Sequence, residues 1–358
     1  MINVTKTYLP SMEVYISIMK RAWDKAWITN DGELLKELEE KLKNYLGVPN
    51  LLFTGNGTIA IQMALKALNV SKEVITTPFS YVATTNSILW EGCTPVFVDI
   101  DPQTFCIDAS KIEAAITPNT QAILATHVYG IACDVEAIEG IAKQYNLKVI
   151  YDAAHAFGVL YKGKSLLSFG DISTCSFHAT KLFHTVEGGC VIANDDVLDH
   201  QLMLYRQFGH VYDEYTSVGI NGKNSEFHAA MGLAILPEID SIINERKKIT
   251  ERYNAAFVGL LQKPVMQNEL TYNYAYYPFV FKSEEQLLKV VESLKQNNIN
   301  GRRYFYPSLN ELPFLTYQPC PISEDISRRV LCLPLYVGLE ELHTQTIIDC
   351  ISKSCQLC

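Results

Sequence analysis

Three groups of residues have the types and spacing to do chemistry together. The first is TGNGTIAIQMAL, where Gly55, Gly57 and Thr58 follow an apolar run and open an apolar helix pattern. Free backbone N–H groups at such a helix start, with the helix dipole behind them, attract an anion such as a phosphate. The second is Asp152, which ends the run KVIYD and is followed by AAHAFG. A carboxylate at the end of a buried strand is costly unless it meets a positive partner, and a protonated ring nitrogen is one such partner. The bland reading of Asp152 is a helix N-cap. The third is Lys181 in SFHATKLFHTVEGG, set among small and aromatic residues. A poorly solvated lysine has a depressed pKa and can form an imine, although a snorkelling surface lysine is the commoner case.

The three groups in this order match what pyridoxal 5′-phosphate requires: a lysine for covalent attachment, an acid for the pyridine nitrogen and an anion site for the phosphate. Tyr81, in TTPFSYVATT, can add an aromatic face over the ring; its bland reading is a core tyrosine. Other chemistries fit less well. Gly55, Gly57 and Ala60 satisfy the dinucleotide pattern GxGxxG/A, but the next strand runs into Thr77 and Pro78 where an acid should hold a ribose. His127, His155, His178 and His184 lack metal-ligand spacing, so no metal is expected. There is no GxSxG elbow and no Walker loop.

The elements that must position these residues alternate. Strand-like runs at 50–54, 73–77, 95–99, 121–126, 148–152, 173–177 and 189–193 are separated by helical patterns such as IAIQMALKAL, ASKIEAAI and VEAIEGIAKQY. Such alternation predicts an α/β domain with a large, mostly parallel seven-stranded sheet, and ligands sit beyond the carboxyl ends of its strands. After about residue 235 the pattern changes to a long charged helix (239–261), a strand (275–282) and an amphipathic helix (284–298). The predicted organisation is thus a large domain over 1–235 and a smaller α+β domain over 236–358.

Composition agrees. A chain of 358 residues that is 48% hydrophobic and 19% charged can bury a large core. A net charge of −9 argues against nucleic acid as a partner. The chain has no apolar run of membrane length, and MINVTKTYLP lacks the features of a secretory leader, so a cytoplasmic protein is expected. The ten cysteines are scattered; Cys93, Cys106, Cys175, Cys190 and Cys332 read as buried thiols. The tail, with Cys350 and the Cys355 and Cys358 of the terminal CQLC, reads as a frayed end and not half of a zinc site.

Nearly the whole chain resembles the DegT/StrS-type sugar aminotransferases, in the blocks WITNDGELLKELEEKL, GNGTIAIQMAL, TTPFSYVATTNSILWEGCTPVFVDID, THVYGIACDVEAI, YDAAHAFG, SFHATKLFHTVEGG, GINGKNSEFHAAMG and RRYFYPSL. The resemblance implies a fold-type I pyridoxal phosphate enzyme that moves an amino group from L-glutamate to a nucleotide-linked keto sugar. It implies cofactor attachment at Lys181, a pyridinium partner at Asp152, and His155 near the phenolic oxygen. It places phosphate contacts at Gly57, Thr58 and Ser176, and the stacking ring at Tyr81. It also implies a homodimer whose sites lie at the interface, with Asn221 reaching the neighbour's phosphate. Trp27, Thr29, Arg303 and Tyr306 match blocks near the sugar, and Lys223 is a candidate pyrophosphate contact on charge alone.

The chain departs from the family at Lys223-Asn224, where many members have Arg-Met, and at Asn56, where Ser is commoner. Lys181 occupies the position that is histidine in the dehydratase branch, which implies transamination. The wording of TKTYLPSMEVY, DAAHAFG and FHTVEGG resembles members that aminate C4 of a dTDP-linked 4-keto-6-deoxyglucose for O-antigen synthesis. Amination at C3 of the related 3-keto sugar, or a non-catalytic sugar sensor on the same fold, are the alternatives.

Overall fold

The computed structural model describes residues 1–259 and 262–356. Its centre is a sheet of seven strands: β1 (Leu52–Thr54), β2 (Glu73–Thr76), β3 (Thr94–Phe97), β4 (Thr120–Thr126), β5 (Lys148–Asp152), β6 (Ile172–Ser176) and β7 (Gly189–Ala193). The spatial order is β1-β7-β6-β5-β4-β2-β3. Pairing is parallel from β3 through β6, and only β7 runs antiparallel to its neighbours β6 and β1.

Alternate side chains along each strand feed two separate apolar layers. Ile75, Ile123, Val149, Tyr151 and Ile192 point into one, and Val74, Leu124, Ile150 and Val191 into the other. Both faces are therefore covered, which is why these strands read as nearly continuous apolar runs. Numbering helices along the chain, α1 is Met12–Asp24, α2 Glu33–Leu46, α3 Gly57–Ala67, α4 Val82–Trp90, α5 Ala109–Ile112 and α6 Val135–Tyr145. Next come α7 (Asp196–Arg206) and α8 (Glu226–Ile235). Leu34, Leu35, Leu38 and Leu42 of α2, with Ile138 of α6, pack on the first layer, whereas α3, α4 and α7 pack on the second. The helix after β2 thus covers one face and the helix after β4 the other. At this switch point the chain connections part, and a crevice opens at the strands' carboxyl ends.

The C-terminal third carries α9 (Ile239–Ala256), α10 (Glu284–Gln296), α11 (Pro321–Arg329), α12 (Glu341–Gln356) and an antiparallel pair, Pro278–Val280 with Val330–Cys332. Tyr253, Phe257, Phe279, Leu287, Leu331 and Ile347 form a cluster of their own there. The long charged helix is shorter than its pattern predicts, because Gly259 takes a left-handed backbone (φ +71°) just past its end. The predicted strand 275–282 pairs only over Pro278–Val280. Nor is the C-terminus frayed at Cys350, which is buried beside Ile351 in α12. The side chain of Cys355, and the whole of Cys358, lie outside the described residues. Cys93, Cys106, Cys175, Cys190 and Cys332 are all buried free thiols.

Candidate active site

β4, β5 and β6 deliver Thr126, Asp152 and Ser176 at their carboxyl ends to one cleft of about 730 Å³. Asn56–Thr58 at the start of α3, Ser80 and Tyr81 before α4, and Lys181 in the loop after β6 close its sides, with Tyr276, Arg302, Tyr304 and Phe305 arriving from the C-terminal third.

The anion cup is made by close approach. The Asn56 side chain caps α3 by accepting the Ile59 N–H at 2.9 Å. The earlier N–H groups of Gly57 and Thr58 have no carbonyl one turn before them, and both residues line the cleft. A Cβ at Gly57 would lie 3.0 Å from Ser176 Cβ, and one at Gly189 would lie 2.6 Å from Gly57 N. Both positions must stay bare for the helix to start between β6 and β7. Asn56 instead of Ser therefore preserves the cup and supplies a cap.

Asp152 is not a helix N-cap, since a turn follows it; its Oδ1 accepts the Ala154 N–H at 3.1 Å. Its Oδ2 accepts the Thr84 hydroxyl at 2.7 Å. Lys181 Nζ donates to the Tyr276 hydroxyl at 3.4 Å. Burial pulls the Lys181 ammonium below its ordinary pKa, opposed by the charge of Asp152. The same burial raises the Tyr276 phenol, so it stays protonated.

His155 is held by its ring. Tyr276 lies 4.6 Å away centre to centre, and Phe305 stacks on it at 5.6 Å. Burial, with Lys181 nearby, holds the imidazole well below its usual pKa. Its Nδ1 accepts the Tyr129 N–H at 3.1 Å, so the single proton of the neutral ring sits on Nε2.

Of the residues singled out from sequence, Gly57, Thr58, Tyr81, Asp152, His155, Ser176 and Lys181 share this cleft. Asn221, Lys223, Trp27, Thr29, Arg303 and Tyr306 are not among its lining residues. Asn221 is exposed and bridges Gln207, and Lys223 lies 5.0 Å over the Phe208 ring. Trp27 and Thr29 are exposed on the connection before α2. Arg303 turns away, donating to Glu284 at 2.7 Å and to the Arg328 carbonyl at 2.8 Å, with its guanidinium over the Tyr306 ring. Arg302, one residue earlier, is the arginine that lines the cleft. Asn224 donates to the Glu187 carbonyl at 2.9 Å, a packing contact that ties its segment to the loop after Lys181. The sequence reading missed Thr84, Thr126, Tyr276, Arg302 and Tyr304. Thr84 lies three residues after Tyr81, one helical turn on, and that spacing was its only signal. Among the described residues, no cluster of His, Cys, Asp and Glu could hold a metal ion.

The model of the DegT/DnrJ/EryC1/StrS aminotransferase family matches residues 13–352. The chain belongs to the DegT/DnrJ/EryC1/StrS aminotransferase family. Members of the family work with pyridoxal 5′-phosphate, and the cleft has the matching inventory. Among DegT/DnrJ/EryC1/StrS relatives, the dTDP-4-amino-4,6-dideoxy-D-glucose transaminase of Escherichia coli is 40% identical over 95% of both chains. The GDP-perosamine synthase of Escherichia coli O157:H7 is 35% identical over 92% of both. The solved structure of DesI in the presence of its TDP-sugar product superposes with a TM-score of 0.92 at 29% identity, covering 99% of this chain and 94% of the other.

Proposed function

We propose that this aminotransferase moves the amino group of L-glutamate to dTDP-4-dehydro-6-deoxy-D-glucose, giving dTDP-4-amino-4,6-dideoxy-D-glucose for O-antigen assembly. What carries the reading is the joint placement of Lys181, Asp152 and the α3 start in one cleft, on a chain 40% identical to a transaminase with that product.

Bound pyridoxal phosphate would supply the electron sink and carry the amino group between the two substrates. The α3 N–H groups, Thr58 and Ser176 would hold its phosphate, Tyr81 its ring face, and the His155 Nε2–H its phenolic oxygen. Asp152 would hold the proton on the ring nitrogen. Lys181, desolvated and hence easily uncharged, is placed to take a proton from the donor's Cα and later return one at the sugar's C4. Tyr276 and Tyr304 wall the lysine from bulk water. The sequence of events is ping-pong: glutamate enters and 2-oxoglutarate leaves before the sugar binds.

A second copy of the chain completes the site in this reading. Asn221, Lys223, Trp27 and Thr29 stand outside the cleft; Trp27 is 57% exposed, and the hairpin that pairs His210–Val211 with Glu214–Tyr215, just after the Gln207 that pairs with Asn221, carries Tyr212 90% and Tyr215 74% exposed. Exposed aromatics of this kind suit a homodimer, in which Asn221 would reach the partner's phosphate site. The working division into 1–235 and 236–358 stays a proposal, supported by the separate apolar cluster around Tyr253 and Phe279. No helix among the described residues is long and apolar enough to cross a membrane. The buried free thiols suit the cytoplasm.

The half-reaction tests the donor. Adding L-glutamate to the cofactor-loaded protein should replace the absorbance of the lysine-bound cofactor with that of the pyridoxamine form and release one 2-oxoglutarate per site. An unchanged spectrum would refute the glutamate assignment.

A further inference from the structure

Asp152 sits at the end of a chain of hydroxyls that the proposed mechanism does not use. Thr126 Oγ1 is 3.1 Å from Ser80 Oγ, Ser80 Oγ is 2.7 Å from Thr84 Oγ1, and Thr84 Oγ1 is 2.7 Å from Asp152 Oδ2. All four residues are buried, with Thr84 fully so and Asp152 the most exposed at 6%. They come from three different elements: β4, the start of α4 with the turn before it, and β5.

The direction of every bond is forced. An ionised carboxylate only accepts, so the single Thr84 proton is committed to Asp152. Thr84 must then accept from Ser80, whose own proton is used in doing so. Ser80 in turn must accept from Thr126. All three O–H dipoles point toward Asp152, and each bond polarises the next in a dry environment. Asp152 Oδ2 therefore serves as the acceptor that ends the chain, held in place by the Thr84 hydroxyl. With the Ala154 N–H on Oδ1, each carboxylate oxygen has one fixed donor and keeps lone pairs free toward the cleft.

We propose that the Thr126–Ser80–Thr84 chain is a positioning device that fixes the rotamer of Asp152, aiming its carboxylate at the cofactor's ring nitrogen, and so sets how firmly that nitrogen keeps its proton. This rests on the reading of Asp152 as the ring nitrogen's partner. Thr84 makes the direct bond and is the strongest link. Ser80 and Thr126 act by polarising it, with effects that fall off along the chain.

The test uses the holoenzyme loaded with pyridoxal phosphate labelled with ¹⁵N in the ring, and follows the nitrogen's chemical shift against pH. Without the Thr84 bond the carboxylate is free to turn from the ring nitrogen, so Thr84→Val should move loss of the ring proton down by about one pH unit, and weaken cofactor binding about tenfold. Ser80→Ala should shift both readouts the same way by less. Thr84→Ser, which restores the hydroxyl, should recover the wild-type titration, as a purely packing role for the threonine would not. Asp152→Asn separates the two readings. If it leaves the nitrogen signal unchanged, Asp152 is not the partner and the underlying reading fails. If Asp152→Asn strips the proton while Thr84→Val titrates like wild type, the hydroxyl chain alone is overturned. Should Thr84→Val fail to fold, wild-type behaviour of Ser80→Ala overturns the chain equally.

Discussion

At the scale of single residues the account turns on Lys181 and its surroundings. Replacing Lys181 with alanine should lower turnover by about 10³-fold or more while leaving the melting temperature near wild type, because positioned proton transfer contributes factors of that order. Borohydride treatment of the loaded wild type should fix one cofactor to the Lys181 peptide, read by mass spectrometry. The label appearing on another lysine would contradict the assignment. Tyr276→Phe removes the hydroxyl to which Lys181 Nζ donates, and should depress kcat more than KM for glutamate. The place of Lys181 in the cleft could be anticipated only because its run follows the anion cup and the strand-end Asp152 in order; alone, such a lysine is more often a surface residue. Tyr276 could not, because YNYAYYPF offers five aromatic residues and no pattern that says which one faces the lysine.

At the scale of elements, the start of α3 is the feature most sensitive to sequence. Gly189→Ala puts a methyl 2.6 Å from Gly57 N, so either β7 or the helix start must shift. Overpacking of that kind costs about 1–3 kcal/mol. Urea titration should show this loss, and cofactor affinity should fall with it. Unchanged affinity would mean that the cup does not hold the phosphate. The mostly parallel seven-stranded sheet was legible in advance, since buried parallel strands announce themselves as short apolar runs between amphipathic helices; β5, β7 and α6 match their predicted limits, Lys148–Asp152, Gly189–Ala193 and Val135–Tyr145. The C-terminal third was less legible. There, helix ends depend on single backbone conformations such as that of Gly259, and strand pairing depends on partners distant in sequence, as when Val280 meets Val330. For the same reason the sequence pointed to Arg303 where the cleft holds Arg302: the choice between adjacent arginines is made by Glu284, nineteen positions away.

At the scale of the whole molecule, buried histidines couple stability to acidity. Burial pushes His127 from an ordinary 6.5 down to about 3, and His155 is lowered as well. A base buried uncharged contributes its full stability above the unfolded value near 6.5, and that contribution is lost as pH falls from there toward the folded value. Each group should thus cost about 1.4 kcal/mol per pH unit in that window. Urea midpoints measured from pH 7 to pH 5 should fall steadily. His127→Asn, whose side-chain oxygen can still accept the Cys133 N–H that His127 now takes, should flatten the slope, and an unchanged slope would contradict the assignment. The dimer belongs at this scale too. Mixing inactive Lys181→Ala with inactive Asn221→Ala should restore activity to part of the population if each site borrows Asn221 from its partner, while strictly additive inactivity would place Asn221 outside the site.

The most direct test of the central claim combines purified protein, pyridoxal phosphate, L-glutamate and dTDP-4-dehydro-6-deoxy-D-glucose, and locates the new amine on the hexose by NMR. The account predicts nitrogen at C4. No turnover of this sugar, with the amine appearing instead when the 3-keto isomer or the GDP-linked 4-keto sugar is supplied in its place, would contradict it.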